Sequence, residues 1–534
     1  MIYRLLILCL VTASSYAQQP NIIYIMSDDH DADAISAYRK QSVQTKDAVE
    51  ARHAFSLLIN TPNMDRIAKE GMRFTNCFVG NSICSPVRAT VLTGQHSHLN
   101  GIKDNRTPFD GNKITLPKLL KEAGYQTVLI GKWHLHSLPT GFDYWTVLPG
   151  QGAYYSTRLI NMNKDTIRYN EYATSLITNQ TLNWLKEKRD PAKPFFIMMH
   201  HKAPHRNWVP ELKWLEIFSK RKFSEPPTLY ADTIGKGAAF RHQRMSILKD
   251  MTLCTDLKID PQYIKDIPHL KPDSNEIRSY NAFMNAIPEE QRKRMKEIFA
   301  ERGKLLQQLK PVGKELLKLK YQWYMQDYLA CVASVDESVG EVLNYLDESG
   351  LSENTMVVYT SDQGFYLGEN GWFDKRFMYD VSMKTPLLVK WKGKIKPGSV
   401  NTSLVQTIDF APTMLDVAGI KVPDWMQGLS LRSILTSRQN VPVAMPRKEL
   451  YYRYYEYPID HYVIPHIGIR EKQYKLIYFY TANEWEFYDL TADPQEQKNL
   501  INIPKYHAEI KRMKMKLVEV KSRYKDAEPA GELK

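Results

Sequence analysis

Asn21-Ile22-Ile23-Tyr24-Ile25-Met26-Ser27-Asp28-Asp29-His30 is the stretch from which the fold can be read. Ile22 to Met26 are an unbroken, β-prone apolar run, short for a helix and without alternation. That pattern predicts a strand covered on both faces. The run stops abruptly in ionisable residues. The design returns along the chain. Tyr125-Gln126-Thr127-Val128-Leu129-Ile130 leads into Gly131-Lys132-Trp133-His134, Phe195-Phe196-Ile197-Met198-Met199 into His200-His201, and Met356-Val357-Val358-Tyr359-Thr360 into Ser361-Asp362. Open α/β sheets gather ligands outside the carboxyl ends of their strands, so these loops are expected to meet at one site.

Helical patterns lie between the strands. Thr115 to Gly124 has a Thr cap, an early Pro and a terminal Gly. Leu329, Val332, Ala333, Val339 and Val342 trace an apolar face leading to Leu346 and Gly350. Alternating helix and strand predicts an α/β sandwich, a catalytic body over residues 18–443. Within it, residues 214–320 are rich in Lys, Glu, Gln and Met and read as a helical insertion, a structural cover rather than a substrate-gripping lid. From 444 to 534 a tyrosine-rich, β-patterned stretch followed by a basic helix predicts a smaller α+β subdomain.

The chain of 534 residues is 43% hydrophobic and 25% charged, the balance of a globular protein. Its 72 basic and 59 acidic residues leave a net charge of +13, which suits a polyanionic partner without choosing one. Nothing points to nucleic acid. Arg4, the apolar run Leu5 to Val11 and the small Ala17 have the layout of a cleaved signal peptide over residues 1–17, too short for a stable membrane span. Bulky Leu8 before Cys9 argues against a lipoprotein. A periplasmic or secreted protein is expected. Cys77, Cys84, Cys254 and Cys331 have neither disulfide-framework nor zinc spacing, which leaves Cys84 free for chemistry.

Ser82-Ile83-Cys84-Ser85-Pro86-Val87-Arg88-Ala89-Thr90-Val91-Leu92-Thr93-Gly94 carries that chemistry. Cysteine followed by Pro, Arg and Thr-Gly at these offsets resembles the modification signature of type I, formylglycine-dependent sulfatases. Asn21 to about Asn499 is similar to bacterial members of that family, which share the alkaline phosphatase-like fold: a large central mixed sheet flanked by helices. The stretch Thr360 to Arg376 is most similar to exo-acting N-acetylglucosamine-6-sulfatases of heparin, heparan sulfate or mucin glycans.

The resemblance implies that a maturase oxidises Cys84 to formylglycine, recognising Pro86 and Arg88. One hydroxyl of the hydrated aldehyde attacks sulfur, and the other expels sulfate by re-forming the aldehyde. Asp28, Asp29, Asp362 and Gln363 make an all-oxygen set suited to one Ca²⁺, and the family assigns those positions, with the residue at 84, to the metal. Gln363 stands where many relatives have Asn. By the same likeness Arg88 holds the hydrate, Lys132, His134 and Lys375 contact the nucleophile and sulfate, and His205 protonates the leaving oxygen. His200, His201 and Lys202 read as supporting residues, and His461, His466 or Arg470 as sugar contacts. The expected activity is hydrolysis of 6-O-sulfate esters of N-acetylglucosamine. Another sulfated sugar position, a phosphonate or phosphodiester hydrolase of the same fold, and a non-catalytic glycan-binding protein stay open.

Overall fold

The computed structural model describes residues 19–39, 59–231, 237–437 and 443–533. The expected signal peptide and the lipoprotein alternative at Cys9 lie outside them. Strands Asn21–Ser27, Gln126–Lys132, Phe195–His200 and Thr355–Ser361 stand side by side and parallel at the centre of a ten-stranded sheet. Alternation within each apolar run splits the core. Ile23, Ile25, Val128, Ile130, Ile197 and Tyr359 face one helical layer, while Ile22, Tyr24, Leu129, Phe196 and Val358 face the other. Burial on both faces explains why no polar alternation marks these strands.

The sheet is mixed. Leu387–Trp391 runs antiparallel to Thr355–Ser361, and Tyr144–Leu148 pairs parallel with Gln126–Lys132 before antiparallel strands close that edge. One layer contains the 36-residue helix Gly313–Glu348. The other contains Cys84–Thr93, Leu116–Glu122 and Phe410–Val417. Glu449–Tyr454, His466–Glu471, Tyr474–Phe479 and Glu484–Asp489 form an antiparallel sheet with helix His507–Arg523 packed on it. Among the described residues no helix is long and apolar enough to cross a membrane.

The helical region departs from the boundaries expected for it. Helices Ser274–Ala286 and Glu289–Leu309 are present, but position 320 falls inside Gly313–Glu348, which runs on into the core of the catalytic body. Apolar residues continue on several faces of that helix because it is buried almost all round, from Tyr321 through Leu343.

Candidate active site

Strand register sets the site. Ser27 is paired with Ser361, Met26 with His200 and Gly131 with His200, so these strands end in a row. Backbone bonds then stitch the following loops together: Asp362 N–H donates to Ser27 O at 3.1 Å, His201 N–H to Met26 O at 2.9 Å, and Asp28 N–H to Ala203 O at 3.2 Å. Residues far apart in sequence meet within a few ångströms.

Cys84 opens the helix Cys84–Thr93, every residue of which is buried. Pro86 lies in its first turn, where the missing N–H would have had no helical partner. Gly94 closes the helix in the left-handed region at φ 64°. The Cys84 thiol points at Asp28, with Sγ 3.5 Å from Oδ1, and Gln363 Nε2 approaches Sγ at 3.6 Å. Burial pushes the thiol well above its ordinary pKa, more than Lys375 and Lys132 lower it. An unmodified thiol here stays protonated and is a poor nucleophile.

Oxygens of Asp28, Asp29 and Asp362 lie within 4.8 Å of one another. Three buried carboxylates repel, and burial followed by the charge on Asp28 raises Asp362 to about 7. Cations compensate in part. Burial would raise Asp28 too, yet the charges on Lys132 and Arg88 hold it well below the usual carboxylate range. Lys132 pairs with Asp28. Lys375 Nζ is 2.7 Å from Asp29, and Arg88 Nη2 is 2.9 Å from Asp362 Oδ2. Gln363 donates to Asp29 at 2.5 Å, while its own oxygen is buried without a partner among the described residues. An orphan amide oxygen beside mutually repelling carboxylates is a donor set that fits a hard divalent cation.

His134 and His205 flank this cluster. His134 takes a left-handed φ of 53°, and its carbonyl accepts from Ser85 Oγ at 2.6 Å. Burial, then Lys132 and Arg88, lowers His134 to about 2, so its imidazole is neutral. His205 Nδ1 donates to Arg206 O, which leaves Nε2 facing Asp29 Oδ2 at 3.8 Å. Asp29, Asp374 and Arg376 also have positive φ, at 64°, 77° and 92°. Such conformations at non-glycine residues cost energy and persist where surrounding contacts over-determine them.

The expected supporting histidines are structural. His200 Nδ1 meets Lys132 O at 3.0 Å, and His201 Nε2 meets Ser338 Oγ at 3.2 Å. Two of the expected sugar contacts are misplaced. His466 is 0% exposed, accepts from Met378 N–H, donates to Ile464 O and packs among Phe377, Tyr452 and Tyr454. Arg470 is buried against Asp380 at 2.7 Å and over Phe78. His466 has both ring nitrogens engaged, and each nitrogen of Arg470 already donates within the protein. His461 differs in place: its Nδ1 donates to Arg244 O at 2.6 Å, and its Nε2 lies 3.2 Å from Asp374 Oδ2, beside Lys375.

Sequence reasoning overlooked several residues at the site. Gln151 holds Lys132 Nζ at 2.5 Å, and Asp374 bonds the Lys375 backbone at 2.9 Å. Arg206 adjoins His205 in sequence, a signal that was available. Its buried partner Asp256 comes from the insertion, and no local pattern announces that pairing.

The chain matches the sulfatase family model over residues 20–420 and the C-terminal model of N-sulphoglucosamine sulphohydrolase over residues 368–523. It is 44% identical to an N-acetylglucosamine-6-O-sulfatase of Bacteroides thetaiotaomicron, across 96% of this chain and 88% of that protein. A solved structure of a protein with its substrate D-glucosamine-2-N,6-O-disulfate superposes with a TM-score of 0.87 at 43% identity, covering 96% of this chain and 99% of the other. A phosphonate monoester hydrolase of Agrobacterium radiobacter shares the fold at a TM-score of 0.64 and 18% identity, covering 95% of this chain and 96% of the other. With a cysteine, an acidic cluster and paired lysines gathered at the strand ends, and with matches of this extent, the chain belongs to the sulfatase family.

Proposed function

We propose that this sulfuric ester hydrolase removes the 6-O-sulfate of N-acetylglucosamine from glycosaminoglycans (heparin or heparan sulfate) or mucin-type glycans, acting at the chain end after export through a signal peptide at residues 1–17. The carrying observation is the 44% identity over 96% of the chain, which runs through the C-terminal elements around the site as well as the sulfate pocket.

Each residue has a task in this reading. Asp28, Asp29, Asp362 and Gln363 would hold Ca²⁺, which supplies Lewis-acid polarisation and a template for the sulfate. Formylglycine at position 84, made by a maturase, would supply a paired-hydroxyl nucleophile able to release sulfate by returning to the aldehyde. Lys132, at the end of its strand, and Lys375, from a loop, reach Asp28 and Asp29 and bind the sulfate oxygens between them. Arg88 and neutral His134 orient the residue at 84. His205 passes the proton on Nε2 to the leaving sugar oxygen, while its Nδ1–H stays on Arg206 O. Burial depresses the pKa of His205 most, with Asp28 opposing. An incoming sulfate anion adds to that opposition and favours the imidazolium the step needs. Asp374 and His461 read the sugar hydroxyls at the rim.

A panel of sulfated monosaccharides differing only in sugar and position tests the assignment. Turnover of 6-sulfated N-acetylglucosamine is expected, and activity confined to 2-O- or 3-O-sulfates refutes it. Peptide mass spectrometry of active enzyme should find Cys84 lighter by the thiol-to-aldehyde change. Chelation should abolish activity and added Ca²⁺ restore it.

A further inference from the structure

Past His205 the site opens into a cavity of about 470 Å³. Two contacts join it to the chemistry: His205 Nε2 faces Asp29 Oδ2 at 3.8 Å, and Gln151, whose oxygen accepts from Lys132 at 2.5 Å, also lines the cavity. Lys202, Arg206 and Asn207 also line it, the Tyr154 and Tyr155 hydroxyls are committed to His205 O and Pro210 O, and no carboxylate lines the cavity among the described residues.

Both cations are only partly satisfied. Lys202 is 5% exposed, lies 4.9 Å from the centre of the Tyr154 ring, and has no acceptor among the described residues. Arg206 is held on one edge by Asp256, through Nε at 2.7 Å and Nη2 at 2.6 Å, and its guanidinium lies 4.8 Å from the centre of the Phe373 ring. Its Nη1 has no hydrogen-bond partner among the described residues. Asn207 donates to the same Asp256 carboxylate at 2.6 Å. Asp256 itself is fully buried and also accepts from Thr252, so the insertion fixes where Arg206 points. A desolvated cation without an acid is costly to keep. Tyr155, Val209 and Phe283 give the cavity an apolar wall suited to a sugar face.

We infer that this cavity receives a second anionic group of the substrate, carried on the same amino sugar as the scissile sulfate or on the next sugar, and that Lys202 and Arg206 bind it. The inference rests on the 6-O-sulfatase reading. It makes the helical insertion a wall of the substrate site, where a structural cover was expected.

Three substrates test it at low salt: N-acetylglucosamine-6-sulfate, glucosamine-2-N,6-O-disulfate, and N-acetylglucosamine-6-sulfate joined through C1 to a uronate. One charge-assisted contact predicts a preference in kcat/KM of about tenfold or more for a dianionic substrate, and the preferred one identifies where the anion sits. Lys202→Met should remove most of that preference, and Arg206→Lys, which keeps charge without the fork, part of it. Unmatured enzyme gives a second readout by calorimetry, with glucosamine-2-N-sulfate or the desulfated disaccharide bound more tightly than N-acetylglucosamine. Equal kcat/KM for all substrates in the wild-type enzyme, or a preference intact in Lys202→Met, overturns the inference and leaves the 6-O-sulfatase reading standing. Turnover of none of them overturns both.

Discussion

Replacing Asp327 by asparagine withdraws a negative charge on which two buried cations depend. Asp327 lies in the middle of Gly313–Glu348 and is 0% exposed. Its carboxylate accepts from Arg302 Nη2 at 2.7 Å, Arg302 Nη1 at 2.9 Å and Lys258 Nζ at 3.0 Å. Lys258 is fully buried and Arg302 nearly so. Burial lowers the lysine pKa, and Asp327 is the main force raising it. Removing one partner of a buried pair costs about 3–5 kcal/mol, and here both cations lose theirs. The loss has a ceiling, because Lys258 can shed its proton and still donate to Asp256 O at 2.5 Å. The Arg302 guanidinium has no such escape. Asp327→Asn should therefore lose about 4 kcal/mol, a large share of the roughly 5–15 kcal/mol that holds a typical domain together. Urea unfolding followed by fluorescence should show a lower midpoint at unchanged slope. Arg302→Met closes a double-mutant cycle, whose two changes should be non-additive by about 2 kcal/mol. A cost below about 1 kcal/mol for Asp327→Asn, or additivity within about 0.5 kcal/mol, refutes the view that an unpaired buried charge sets the penalty.

Three further outcomes are expected. His205→Ala should slow a sugar 6-sulfate by about 10²–10⁴ and aryl sulfates with good leaving groups far less; equal losses remove His205 from the acid role. At Gly131, φ is 104° and an added Cβ would stand 2.0 Å from His200 O, so Gly131→Ala should cost more than about 3 kcal/mol and disturb Lys132. Gly393→Ala, at φ 70° with nothing within 4 Å, should cost only about 1 kcal/mol, and equal midpoints for the two variants contradict this. Burial alone would raise Asp256, but Arg206 outweighs it and holds the carboxyl down to about 2. That lies below its unfolded value of about 3.9, so the stabilisation is complete above about pH 4 and is lost as pH falls through 2. Asp256→Asn should flatten that part of the acid-unfolding curve by on the order of 2 kcal/mol; a curve merely displaced in parallel rules the pairing out.

Which residues reach the site was largely legible in the chain, because strands buried on both faces read as apolar runs and their polar successors stand out. Asp28, Asp29, Lys132 and Asp362 follow such runs directly, and Cys84 sits in a spaced motif. Isolated histidines carried no comparable signal. His461 and His466 lie five residues apart, yet one borders Asp374 and the other is sealed among aromatic rings, since successive strand and loop positions face different surroundings.

Sequence by itself determined the layered α/β order, the strand ends that carry chemistry and the cysteine at their centre, all of which depend on local periodicity and spacing. Only the tertiary structure decided the partners. Asp256 meets Arg206 across 50 residues, and Lys375 meets Asp29 across 346. Such pairings follow from which strands become neighbours in the sheet and how the insertion folds back on it. They are properties of packing, which no window along the chain contains.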